Sequence, residues 1–301
     1  MKANRKIPPN LFANSEDTVF KNDFFNQFEL KPSDKPIELS ESIKKTYNFP
    51  TFYADVTCSV GIFMCSYKKA KELITKNLHP KISPVKMTKG RALIAFSCYE
   101  YKNVMGVLPY NEIAVAIPIM VNTSFNPPIL PMLMSSFDHF GYYIAAMPVT
   151  SYENQLRGNK IWGLPKVSHD IDIYSENDLC VTKAFEENGE NYLTLKLPKT
   201  GKKTAIDVSS NLYSKLDNQI LQSPTSFKST FNVNKNTSLL FNKSSKNDFE
   251  YIKIGNTQSA QFLQELEIEK TPFQTRYTEG MSSCFDLPKK NPPNWVTDLN
   301  R

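Results

Sequence analysis

GYYIAAMPV (141–149), TSYENQLRGNKIWGLP (150–165) and KVSHDIDIY (166–174) run together as one stretch. The first segment is apolar and strand-like. Ser151 is placed to cap a short helix from Tyr152 to Arg157, and Gly158 to end it. Gly163 and Pro165 then turn the chain, glycine through backbone freedom and proline through its fixed φ. Lys166 opens a second strand, in which Val167, His169, Ile171 and Ile173 alternate onto one face. Trp162, Leu164 and Val167 surround Lys166 in sequence with apolar bulk. Such a setting strips water from an ammonium and frees the neutral amine to attack a carbonyl. An ordinary surface lysine at a strand start is the other reading of the same residues.

The pattern continues on both sides. Short apolar or alternating runs at Thr57–Cys65, Arg91–Tyr99, Val107–Val121, Leu179–Phe185, Tyr192–Leu197 and Thr204–Val208 read as strands. Turn residues at Glu187-Asn188-Gly189 and Lys199-Thr200-Gly201 join neighbours into antiparallel meanders. Helices are predicted over Tyr67–Leu78 and Thr257–Glu267. Strands outnumber helices without βαβ alternation, so the expected class is α+β, a large antiparallel sheet or barrel with a few peripheral helices. Residues 1–50 read as an arm with short helices near Asp17–Phe28 and Glu38–Thr46, ahead of a domain over 51–301. The Ser-, Asn- and Lys-rich stretch 209–248 reads as a polar insertion or a polar-faced pair of strands.

Composition narrows the function. The 301 residues are 40% hydrophobic and 22% charged, enough for a sizeable core. Ten glycines form neither a P-loop nor a Gly-x-Gly-x-x-Gly pattern, so nucleotide fingerprints are missing. The net charge of +6 is mild and basic pairs are scattered, which argues against nucleic acid. Three histidines without helical spacing give no metal site. Five cysteines, an odd number without Cys-x-x-Cys, favour reduced thiols and a cytoplasmic location. No run is long enough for a membrane span.

Three blocks resemble the acetoacetate decarboxylase family. Arg157-Gly158-Asn159-Lys160-Ile161-Trp162-Gly163-Leu164-Pro165-Lys166 is similar to its aromatic-Gly-x-Pro-Lys signature. Pro109-Tyr110-Asn111-Glu112-Ile113 through Pro118 is similar to its Tyr-x-Glu strand. Tyr277-Thr278-Glu279-Gly280-Met281-Ser282-Ser283 resembles its closing strand. The blocks keep family order over about Thr57–Lys290.

The resemblance implies that Lys166 is a Schiff-base nucleophile and Glu112 the carboxylate that faces it, in a carboxy-lyase acting on a small 3-oxo acid. It implies a homo-oligomer, and no cofactor, since the iminium itself is the electron sink. Ser97, Tyr110, Trp162 and Arg157 are the candidate pocket residues. The lysine of acetoacetate decarboxylase is the standing example of an amine activated by a neighbouring cation. Here Val167 stands where the family has that second lysine, Ser97 where it has a second acid, and no arginine occurs near Thr57. Aldol or dehydration chemistry through the same imine, and a non-catalytic small-molecule-binding relative, are the alternatives.

Overall fold

A computed structural model describes residues 19–133, 138–241 and 249–301. The chain opens with four short strands, β1 (Lys31–Pro32), β2 (Ile37–Ser40), β3 (Ile43–Lys45) and β4 (Asn48–Phe49). Next come β5 (Thr51–Ser66), α1 (Tyr67–Asn77), β6 (Ile82–Pro84), β7 (Arg91–Val104), β8 (Tyr110–Val121) and β9 (Phe140–Val149). Helix α2 (Tyr152–Trp162) leads into β10 (Lys166–Ser168). Then come β11 (Asp170–Glu176), β12 (Leu179–Phe185), β13 (Asn191–Pro198), β14 (Lys202–Leu216), β15 (Gln219–Lys235), β16 (Ile252–Ile254), α3 (Gln258–Glu265), β17 (Pro272–Phe285) and a one-turn helix at Asn294–Thr297.

Seven strands close a barrel in the order β9-β14-β15-β17-β5-β7-β8, with β8 returning to β9. All its pairings are antiparallel except β14 with β9, where Leu212 meets Tyr142. Strand β10 adds to the barrel parallel to β9, pairing Lys166 with Met147. A second sheet, β11-β12-β13-β16, lies outside. The two-residue period of a strand explains both layers. On β7, Ile94, Phe96 and Cys98 face outward into the main core, where Leu193, Leu195 and Leu197 of the outer sheet join them. Ala95, Ser97, Tyr99 and Tyr101 face the barrel interior. On β8, Ile113, Val115 and Ile117 point outward and Glu112, Ala114 and Ala116 inward.

Several expectations are revised. Of the two readings of the polar stretch, residues 209–235 take that of a polar-faced strand pair and not that of an insertion: they belong to the long β14–β15 hairpin within the barrel, whose polarity reflects a half-exposed outer face. Residues 242–248 lie outside the described residues. The helix expected near Asp17–Phe28, of which 17 and 18 are also outside them, shrinks to a 3₁₀ turn at Phe25–Gln27. Asn22 Oδ1 accepts the Phe24 amide at 3.1 Å and Gln27 donates to the Phe24 carbonyl, local bonds that compete with a helix. Its phenylalanines still gather, Phe24 and Phe25 packing with Phe52 and Met105. The helix expected over Glu38–Thr46 is the β2–β3 hairpin, which buries Leu39.

Candidate active site

The connection from β9 through α2 to β10 sets the position of Lys166. Ser151 caps α2, its hydroxyl accepting the Asn154 amide at 3.3 Å. The helix runs past Gly158 and ends at Gly163, whose φ of 59° suits glycine and whose added Cβ would lie 2.5 Å from the Lys215 carbonyl oxygen. Gly158, expected to stop the helix, has a different role. A Cβ there would lie 2.3 Å from Lys166 Cδ and 2.7 Å from Cε. The bare backbone of α2 is therefore the groove along which the lysine chain runs. Asn159, one residue on, brackets the Lys166 main chain: its Oδ1 accepts the Lys166 amide at 3.0 Å and its Nδ2 donates to the Lys166 carbonyl at 3.2 Å.

Lys166 Nζ donates to Glu112 Oε2 at 2.5 Å, and the two side chains are 8% and 5% exposed. The amine is thus paired, not merely desolvated among apolar groups as its sequence neighbours suggested. The next residue, Val167, is exposed and uncharged, so the adjacent position supplies no second cation. Tyr101 Oη donates a longer bond to Glu112 Oε1 at 3.3 Å. Tyr101 packs against Tyr53, Tyr99 and Tyr110, and the Tyr110 ring lies 5.8 Å from Lys166 Nζ. Burial pushes the phenol of Tyr101 well above its ordinary value, with the Glu112 charge adding to the effect, and pushes Tyr53 up to about 12. These hydroxyls keep their protons across the neutral range.

The pair faces a cavity of about 190 Å³ inside the barrel. Of the residues singled out by sequence, Lys166, Glu112 and Ser97 line it. Tyr110 stands behind the pair. Trp162 and Arg157 are not among the lining residues. Trp162 stacks on Phe285, which does line the cavity, and donates to the Asp286 carbonyl at 2.8 Å. Arg157 is 1% exposed, sandwiched between the rings of Tyr47 and Trp162, and donates to Thr51 and Asn154. Sequence reasoning missed Tyr53, Tyr101 and Arg276 in the cavity wall. Tyr101 follows Ser97 by four residues on one strand, so alternation from Ser97 reaches it. Among the described residues no group of three or more His, Cys, Asp or Glu side chains is arranged to hold a metal ion, and no helix is long and apolar enough to cross a membrane.

The family model for acetoacetate decarboxylase matches residues 34–223, well over half of the chain. The fold is similar to acetoacetate decarboxylase from Legionella pneumophila, with TM-score 0.50 and 11% identity over 80% of this chain and 86% of that one. A second acetoacetate decarboxylase structure gives TM-score 0.51 and 12% identity over 79% and 87%. The enduracididine biosynthesis enzyme MppR, complexed with the condensation product of pyruvate and imidazole 4-carboxaldehyde, gives TM-score 0.50 and 10% identity over 85% and 97%. No curated protein matches the chain. At these identities the structural likeness speaks for the fold.

Proposed function

The chain belongs to the acetoacetate decarboxylase family, and on that premise we propose that it is a Schiff-base-forming carboxy-lyase that decarboxylates a small 3-oxo acid through Lys166. The observation that carries this reading is the buried amine–carboxylate pair of Lys166 and Glu112 at the wall of a cavity inside the barrel. Glu112 takes a proton from the ammonium and leaves a neutral amine whose lone pair attacks the substrate ketone. The same carboxyl group returns that proton to the carbinolamine hydroxyl, which departs as water and leaves an iminium. The bond to the β-carboxylate then breaks, its electron pair flows into the iminium, and carbon dioxide leaves. Protonation of the enamine carbon and hydrolysis release the ketone and restore the amine, one proton being consumed overall. Tyr101 holds Glu112 in position throughout.

Val167 and Ser97 favour a second reading. They stand where the resemblance led us to expect a further cation and a further acid, so the imine and enamine could serve aldol or dehydration chemistry, with the carboxylate retained. The fold shared with MppR, a protein bound to a condensation product, is consistent with this. Five buried free thiols fit a reducing compartment, on which we propose a cytoplasmic location, and the homo-oligomer is proposed from family membership alone.

The test is incubation with acetoacetate and with β-oxohexanoate in heavy water, following carbon dioxide and α-proton exchange together. Carbon dioxide release that vanishes in Lys166→Met supports decarboxylation. Lysine-dependent exchange without carbon dioxide supports the second reading. Neither signal, across both acids and pyruvate, would leave a non-catalytic binding relative.

A further inference from the structure

Only three charged side chains line the cavity among the described residues: Glu112, Lys166 and Arg276. The first two neutralise one another. Arg276 has no such partner. Gln274 Oε1 accepts from its Nε at 3.1 Å and its Nη2 at 2.8 Å, and none of the ion pairs among the described residues includes it. A guanidinium carries five N–H donors, so a neutral amide oxygen satisfies it only in part. Burial also disfavours its charge and draws the group below its ordinary value. A cation taken from water without an anion is costly, and proteins normally pair it. The cavity is thus one negative charge short.

The topology brings this charge to the cavity from a different strand than the reacting amine. Arg276 lies on β17, paired with Val60 of β5. Lys166 lies beside β9, and β14 and β15 separate β9 from β17 on one side, β8, β7 and β5 on the other. The two cations therefore come from different strands, and both long side chains line the same cavity. Much of the remaining lining is apolar, with Val60, Ile144, Met147, Leu212, Phe227 and Met281. The cavity is somewhat larger than the ~150 Å³ that accommodates benzene.

We infer that Arg276 is the anion-binding, specificity-determining residue of this cavity, and that it receives the single carboxylate of a monoanionic oxo acid whose remaining body is apolar and compact. One unmatched cation admits one anion. A dianionic substrate would bring a second carboxylate into apolar surroundings without a partner, and a neutral ketone would leave the guanidinium unsatisfied. This substrate class rests on the Lys166 reading for its carbonyl end only. The anion end stands on Arg276.

Calorimetry with hexanoate, hexanamide and adipate tests the anion end alone, because none of them carries a ketone and no imine can form. The wild-type protein is expected to bind hexanoate about tenfold or more tighter than hexanamide, the worth of a hydrogen-bonded charge pair. It should also bind hexanoate tighter than adipate. The acid-over-amide preference should disappear in Arg276→Gln and return in part in Arg276→Lys. Equal binding of acid and amide, absence of binding by any of the three, or a preference that survives Arg276→Gln would overturn the inference. Should Arg276→Gln not fold, the wild-type ranking of the three ligands decides. Loss of borohydride trapping at Lys166 with these preferences intact would sink the imine reading and leave the anion site standing.

Discussion

Lys166 Nζ and Glu112 Oε2 meet at 2.5 Å across 54 residues of chain, both side chains more than nine-tenths buried. Glu112 reaches the pair from the inward row of β8, where its neighbours in that row are Ala114 and Ala116. Lys166 reaches it along the groove that Gly158 leaves in α2. The pairing of β8 with β9, and of β9 with β10, brings the carboxylate and the amine together, while the groove lies within the α2–β10 connection itself.

Gly158→Ala tests the groove. The new methyl would overlap Lys166 Cδ, so the lysine must shift off its partner. Imine formation is expected to fall by about a hundredfold or more, as catalytic groups displaced by ~1 Å do. Alanine favours a helix interior, so α2 should persist by circular dichroism. Unchanged trapping of a ketone in this variant would mean that the lysine does not need the groove.

Tyr101 positions Glu112 and does not itself react in this account. Tyr101→Phe removes one hydrogen bond to a carboxylate, which is expected to lower kcat by about tenfold. KM should stay put, because the ring and its packing remain. A rise in KM with kcat intact would instead make Tyr101 a substrate contact.

Arg157 supports the wall behind the site. Arg157→Met keeps bulk between Tyr47 and Trp162 but drops the bonds to Thr51 and Asn154. A stability loss of about 1–3 kcal/mol is expected in urea unfolding, with the acid-over-amide preference unchanged. A lost preference without lost stability would assign Arg157 to the substrate.

Alkaline stability follows from the thiols. Burial pushes Cys65, Cys98 and Cys284 up to about 12 from an ordinary 9.0. A folded-state value above the unfolded one means that the unfolded chain sheds protons first as pH rises. The contribution is therefore fully present below pH 9.0 and is lost from there towards about 12, at up to about 1.4 kcal/mol per pH unit for each thiol. Urea midpoints should fall from pH 9.0 upward, with a shallower slope in Cys98→Ala. A flat profile through that window would contradict the assignment.

Much of this was legible in residue order. The strand–helix–turn–strand around Lys166 follows from residue pattern, the run that holds Glu112 reads as a strand, and Ser97 does line the cavity. Three features were hidden. Gly158 looked like a helix stop because its open side is filled by a residue eight positions on, a contact visible only in three dimensions. Arg276 sits in a polar strand with bulges between Thr278 and Ser283, so alternation could not say which way it faces. The phenylalanine spacing near residue 20 suits a helix, yet the Asx-type bond at Asn22 and packing on Phe52 settle the chain otherwise.

Borohydride trapping followed by peptide mapping bears most directly on the central claim. Incubated with acetoacetate or β-oxohexanoate and then reduced, the protein should gain one substrate-derived mass on the peptide holding Lys166. The gain should be absent without reductant and absent in Lys166→Met. A modification found on other lysines instead, or no mass gain with either acid while the protein is folded, would contradict it.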